Sequence, residues 1–418
     1  MPCAHPAGGV GSAARKKPRW ELADVVRLHG TEFHRSHPLP PAHARIMRDI
    51  AACRTPALGG HLQRCDHCGS ERPAYNSCRN RHCPKCQVLA KARWLEARTA
   101  ELLPVPYFHA VFTLPHELNA LILRNKTMTL DFLFHAVSQT LHQFAADPRS
   151  RLGGKIGFIA VLHTWDQKLL DHFHLHCLIP AGVLAHDRAR WVHAPNKFLF
   201  PVHNLAAVFR AKYLALLKNA FGRDKLLFPG STTPGASPEA FRSIIRPLYR
   251  KNWVVYAQPP FGGPRTVLDY LARYVHRVAI SNERILNVEN GMVTFRFRDR
   301  AHGNTLKTMT LDASEFIRRF LLHALPPAFV RIRHFGFLAN RAKAQDLKRC
   351  RELLGAPSVA LERGKKSPQD HLLELTGKDF AKCPDCRKGT MLVVAELPRA
   401  FAPSPWDFRP RPMAYDSS

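Results

Sequence analysis

The sequence predicts an α+β fold preceded by a small metal-binding module, and three observations carry this. Strand-like stretches "YFHAVFTLP", "KIGFIAVLHTW" and "LLDHFHLHCLIPAGVL" surround one helical stretch from Glu117 to about Ala146. A strand, a helix and two neighbouring strands in that order suggest an α+β sheet. Ahead of them, six cysteines crowd between Cys53 and Cys86 and include two C-x-x-C pairs. Further on, Tyr270 and Tyr274 stand four apart in the helical stretch "RTVLDYLARYVHRVAI".

Length and charge bound the function. A chain of 418 residues with 45% hydrophobic residues has room for two or three domains with real cores. Lys+Arg 62 against Asp+Glu 32 leaves a net charge of +30, spread along the chain. That surplus is unlike an ordinary metabolic enzyme and suits a polyanionic partner, most simply nucleic acid. No apolar run reaches the ~20 residues of a membrane span, and the first twenty residues lack a signal-peptide core. An intracellular protein is expected, in which clustered cysteines bind metal rather than form disulfides.

Taken in order, residues 1–19 read as a disordered basic N-terminus and 20–100 as a zinc-binding, DNA-binding domain. Residues 101–300 read as the α+β domain, 301–398 as a helical C-terminal region with a C-x-x-C, and 399–418 as a Pro-rich tail. Short helices are expected near Glu21–His29 and over Pro41–Ala52, and another along "QVLAKARWLEARTAELL". "NVENGMVTFRFRD" has the Asn-Gly turn of a hairpin, and helical patterns continue to Leu354.

"CDHC" (Cys65, Cys68) and "CPKC" (Cys83, Cys86) are separated by 14 residues, which is zinc-ribbon spacing. Each pair sets two thiolates on one side of a tight turn, and two pairs complete a tetrahedron. Cys53, His61, Cys78 and His82 lie in the same stretch and could form a second zinc site, or be bystanders. Arg79, Arg81 and Lys85 interleave with the second knuckle and suit nucleic-acid contact, although zinc ribbons also bind protein. "KCPDC" (Cys383, Cys386) is half a site whose partner could be Cys350, a histidine or another chain.

His172, His174 and His176 alternate with Phe173 and Leu175, so in an extended chain the three imidazoles share a face. They are either metal ligands or structural histidines, since the chain holds 24 His in all. His163 on the preceding strand could join them, with Asp166 and Asp171 as possible carboxylate partners. On the later helix Tyr270 and Tyr274 lie between an apolar stripe and Arg273 and Arg277. A tyrosine hydroxyl attacks a phosphodiester only with help from a metal and nearby cations.

Together these segments resemble the IS91-type two-tyrosine transposases of the HUH (His-hydrophobic-His) superfamily. The matching stretches include "CRTPALGGHLQRCDHCGSERPAYNSCRNRHCPKCQ", "VLHTWDQKLLDHFHLHCLIPAG", "YLARYVHRVAISNERI" and "RIRHFGFLANR", in order from about 20 to 350. The resemblance implies a central antiparallel sheet with the histidine pair on a middle strand, flanked by helices and preceded by a small zinc-binding domain. It implies that His174 and His176 hold Mg²⁺ or Mn²⁺ with a third ligand, for which His172 is a candidate, while His172–Phe173–His174 also satisfies the motif and leaves the register open. It implies that Tyr270 and Tyr274 are the nucleophiles and that Cys65, Cys68, Cys83 and Cys86 hold Zn²⁺. The implied activity is nicking and rejoining of single-stranded DNA through a 5′-phosphotyrosine, driving rolling-circle-type transposition. The implied setting is the bacterial cytoplasm, at the nucleoid, with the single-stranded ends of a mobile element and its target as partners. A rolling-circle replication initiator or relaxase, or a non-catalytic zinc-dependent DNA-binding regulator, are the other readings. "CPDCRKG" departs from the pattern, which leads one to expect Gly after the second Cys.

Overall fold

The computed structural model describes residues 19–99, 101–195, 199–258, 278–299, 302–356, 367, 370–371, 373–374, 377 and 379–400. Tyr270, Arg273, Tyr274 and Arg277, the basic N-terminus up to residue 18, and the tail from 401 lie outside the described residues. The strands are β1 Gly60–Cys65, β2 Glu71–Tyr75, β3 Tyr107–Thr113, β4 Gly154–Lys155, β5 Gly157–Trp165, β6 Asp171–Pro180 and β7 Gly182–Ala185. They continue as β8 Trp191–His193, β9 Val255–Gln258, β10 Ile285–Glu289, β11 Met292–Asp299, β12 Thr305–Asp312, β13 Ile332–Gly336 and β14 Met391–Leu397.

The chain divides into two compact units, each assembled from separated stretches rather than the contiguous domains expected from sequence. One takes the described residues of 91–277 and 325–365, the other those of 16–90, 278–324 and 366–418.

The first unit is built on a five-stranded sheet ordered β13-β5-β6-β3-β9, with antiparallel neighbours throughout. The period-2 alternation of β3, β5 and β6 sends Phe108, Phe112, Phe158, Leu162, Phe173 and Leu175 to one face. There they join one cluster with helices Lys126–Ala146 and Val202–Phe221. The first of these buries Leu130, Leu133, Phe134, Val137 and Leu141, the three-four spacing of a core-facing stripe. The opposite face carries Tyr107, Ile159, Val161 and Leu178, packed with Leu103, Leu347 and Cys350. The histidine strand is therefore central and covered on both sides.

Two expectations need correction here. The helix foreseen from Glu117 to Ala146 is broken at Asn125, whose amide nitrogen donates to the Leu121 and Leu227 carbonyls. The "RIRHFG" segment is strand β13 at the sheet edge, not helix, as its alternation and branched residues permit. Gly336 ends it at φ +63°, where a Cβ would sit 1.5 Å from the Ile156 carbonyl oxygen.

In the second unit, helices Leu22–Ser36 and Pro41–Ala52 pack together. The meander β10-β11-β12 turns at Asn290 (φ 51°) and Gly291 (φ 73°), the positive-φ pair that an Asn-Gly hairpin requires. β12 and β14 were both expected as helix. β14 instead pairs antiparallel with β1, giving a sheet ordered β14-β1-β2. Among the described residues, no helix is long and apolar enough to cross a membrane.

Candidate metal centres

The histidine centre is set by strand register. β5 and β6 pair so that His163 stands directly opposite His174, and Val161 opposite His176. His163, His174 and His176 each bring one ring nitrogen within 4.8 Å of the others, and all three are buried. The Nε2 atoms of His174 and His176 are 3.1 Å apart. Two nitrogen lone pairs at that distance repel unless a proton or a metal ion lies between them. Donors about 2.1 Å from an octahedral ion and at right angles to each other are about 3 Å apart, so the pair fits adjacent ligand positions.

The outer nitrogens fix the tautomers. The Nδ1–H of His174 donates to the His172 carbonyl oxygen at 2.9 Å, which directs its Nε2 lone pair into the cluster. Nδ1 of His176 is 2.9 Å from Nε2 of His109 on β3, and the two rings stack 7° from parallel. With a metal on His176 Nε2, its Nδ1–H donates to His109. Burial holds His109 down to about 4, so it is neutral and able to accept.

His172, expected as the third ligand, is exposed at the start of β6 and is not in the cluster. A cross-strand neighbour reaches the space between the His174 and His176 rings, whereas the next alternate position on the same strand lies farther along it. Asp166 is engaged otherwise: its Oδ1 accepts the backbone N–H groups of Lys168 and Leu170 and shapes the β5–β6 turn. Asp171 is likewise outside the cluster. His109 was missed from sequence, although a single histidine inside "YFHAVF" on the histidine-facing register was a usable signal.

The cysteines sort into two groups of four, and not as the spacing suggested. Cys53, Cys78, Cys83 and Cys86 form one; Cys65, Cys68, Cys383 and Cys386 form the other. Within the first, Cys53 Sγ lies 3.6 Å from Cys86 Sγ and 3.7 Å from Cys83 Sγ, and Cys78 Sγ is 3.5 Å from Cys86 Sγ. Zinc–sulfur bonds of about 2.3 Å in a tetrahedron put sulfurs about 3.8 Å apart, far beyond a disulfide bond of about 2.05 Å. Cys53 is placed by the C-terminus of helix Pro41–Ala52, and Cys86 immediately precedes helix Gln87–Thr99. Contact with neighbouring thiols, Cys78 first, draws Cys53 down to about 7. The four-cysteine set Cys65, Cys68, Cys83, Cys86 is thus replaced, and neither His61 nor His82 belongs to a cluster. The physical reason is the β1–β14 pairing, which brings "CPDC" against "CDHC" and leaves "CPKC" to Cys53 and Cys78. Cys350 is buried in the apolar cluster of the other unit.

Of the basic residues on the knuckle, Arg79 is exposed, in the left-handed region at φ 55°. Arg81 is half-buried, and Lys85 pairs with Glu21.

A mixed fold with a histidine cluster at the centre of an antiparallel sheet, alongside a cysteine-rich module, defines the chain as a zinc-module DNA transposase once it is compared with known proteins. Residues 157–346 match the family described as "Putative transposase", and residues 25–114 match the family described as "Transposase zinc-binding domain". "Putative transposase y4qJ" of Sinorhizobium fredii is 48% identical over 377 residues, covering 90% of this chain and 94% of that protein. The transposase for insertion sequence element IS801 of Pseudomonas savastanoi pv. phaseolicola is 28% identical over 311 residues, covering 73% of this chain and 72% of that one. No solved structure matches significantly. The chain belongs to the IS91-type transposase family, with an N-terminal zinc-binding domain.

Proposed function

We propose that this transposase nicks and rejoins single-stranded DNA with a tyrosine nucleophile, in rolling-circle-type transposition of an insertion sequence. The observation that carries the reading is the buried trio His163, His174 and His176, with two Nε2 atoms 3.1 Å apart. These three residues would hold a divalent ion, and an all-imidazole set accepts Mn²⁺ more readily than the harder Mg²⁺. Such an ion, when bound, polarises the phosphodiester and offsets its developing charge.

The chain's own groups do the rest. His109 and the His172 carbonyl orient the two imidazoles from behind. The hydroxyl of Tyr270 or Tyr274 gives up its proton as its oxygen bonds to the phosphorus on the 5′ side of the nick, the P–O3′ bond breaks, and the departing 3′ oxygen takes up one proton to become a 3′-hydroxyl. The second tyrosine serves the following strand transfer. Arg273 and Arg277, each three residues beyond a tyrosine in the sequence, balance phosphate charge, and the overall charge of +30 draws DNA to the protein. In the zinc module, Cys53, Cys78, Cys83 and Cys86 hold one Zn²⁺, and exposed Arg79 beside it contacts the DNA backbone.

The test is a cleavage assay with Mn²⁺ on single-stranded DNA from the element's own ends, labelled so that the covalent protein–DNA adduct is seen. Wild type should form an adduct at a defined site, and the Tyr270→Phe/Tyr274→Phe double variant should form none. Equal adduct yields from the two proteins would refute the reading.

A further inference from the structure

We propose a second zinc site in which the C-terminal knuckle Cys383–Cys386 completes the N-terminal knuckle Cys65–Cys68, stapling the far end of the chain onto its zinc-binding domain. The four sulfurs lie within 4.8 Å of one another, with Cys65 Sγ 3.7 Å from Cys386 Sγ and Cys68 Sγ 3.7 Å from Cys383 Sγ. Both cross-knuckle distances match the edge of a zinc–thiolate tetrahedron, about 3.8 Å.

The two knuckles share the first of their two backbone hydrogen bonds and differ by one residue in the second. In the first, the Gly69 N–H donates to the Cys65 carbonyl at 3.1 Å and the Cys65 N–H to the Ser70 carbonyl at 2.9 Å. In the second, the Arg387 N–H donates to the Cys383 carbonyl at 3.0 Å and the Cys383 N–H to the Gly389 carbonyl at 2.8 Å. The residue after the second cysteine is left-handed in both, Gly69 at φ 71° and Arg387 at φ 58°. The missing glycine that set "CPDCRKG" apart thus leaves the left-handed position after the second cysteine in place, although this knuckle closes one residue later than the first. Backbone N–H groups also point at the sulfurs: His67 N is 3.4 Å from Cys65 Sγ, and Gly389 N is 3.4 Å from Cys386 Sγ. Such donors favour thiolate, the form that binds metal.

The surroundings fit the pairing. β1 and β14 pair from Gly60↔Leu397 to Cys65↔Met391, which sets the two knuckles side by side at the same end of the strands. Asp66 accepts the Thr390 N–H at 2.8 Å, and Ser70 donates to Asp385 at 2.5 Å. A Cβ on Gly389 would lie 2.5 Å from Cys65 Sγ, so only glycine allows this approach. Cys65 and Cys386 are 321 residues apart, so the ion closes a loop spanning the whole five-stranded unit in sequence. Four thiolates at tetrahedral spacing suit Zn²⁺. The site is independent of the DNA chemistry proposed above.

The test is metal analysis of the purified full-length protein, with cysteine accessibility mapped by differential alkylation and mass spectrometry. Two Zn²⁺ per chain are expected, falling to one in Cys383→Ser/Cys386→Ser. In wild type, a gradual mercurial titration should release Cys65, Cys68, Cys383 and Cys386 as one group, a readout that needs no variant to fold. One Zn²⁺ in both proteins would overturn the site. So would free alkylation of Cys383 and Cys386 while Cys65 and Cys68 stay protected, or iron in place of zinc.

Discussion

β6 of the five-stranded unit is buried at every residue from Phe173 to Pro180, whereas β1 of the cysteine unit is buried only at Gly60 and Cys65. The partners of β1 fare no better, for β2 and β14 bury no residue at all. A five-stranded sheet with apolar clusters on both faces has hydrophobic burial to hold it. A three-stranded sheet with so little burial does not, and there the proposed thiolate–metal bonds would take over the work of a core. On the proposed reading, metal is a structural element in one unit and a chemical reagent in the other. Removing it should have opposite consequences in the two places.

The largest effect should come from stripping zinc. Structural zinc sites contribute an apparent ~10–16 kcal/mol at neutral pH. A chelator, or Cys53→Ser/Cys83→Ser, should therefore expose the cysteine-bearing segments to protease while the five-stranded unit keeps its hydrogen-exchange protection. Equal loss of protection in both would erase the contrast.

His174→Ala/His176→Ala should do the reverse. Cleavage of single-stranded DNA should fall by roughly 1000-fold or more, the several kcal/mol a metal Lewis acid supplies, with the melting temperature lowered little. Acid should weaken the five-stranded unit through His109. Its folded pKa, about 4, lies below the ordinary 6.5 because burial disfavours its charged form. The stability this neutral histidine allows is complete above about pH 6.5 and is lost as pH falls toward 4, by roughly 3 kcal/mol. Hydrogen exchange of β3 and β6 between pH 6.5 and 4.5 should show wild type weakening more steeply than His109→Leu. Parallel profiles would remove His109 from the account.

Smaller effects separate neighbours. His163→Ala should weaken Mn²⁺ binding by at least about 100-fold, more than the loss of an outer-shell partner, while His172→Ala changes it little; calorimetry decides. Smallest of all, Arg387→Gly should stabilise the cysteine unit by about 1 kcal/mol, since it relieves a side chain held at positive φ. A loss of stability in a urea melt would mean the arginine side chain contributes there.

Much of this was legible in the residues, and what was not has a physical cause. Alternation placed β3, β5 and β6, and Asn290–Gly291 marked the β10–β11 turn, because strand period and turn chemistry are local. β13 and β14 were read as helix because an edge strand is decided by the partner it meets, β5 and β1 respectively, far away in sequence. The histidine pair was recognisable, but its third member was not, since His163 and His172 are separated only by which strand register the sheet adopts. The cysteine grouping failed for the same reason. Spacing paired the two nearby knuckles, and only the β1–β14 contact shows that Cys383 and Cys386 take the place next to Cys65 and Cys68.

The measurement that bears most directly on the histidine centre is pulsed electron paramagnetic resonance of the Mn²⁺-loaded protein, repeated on His163→Ala and His172→Ala. Nitrogen couplings from three imidazoles are expected in wild type and in His172→Ala, and from two in His163→Ala. Three couplings in His163→Ala with two in His172→Ala would contradict His163 as the third ligand.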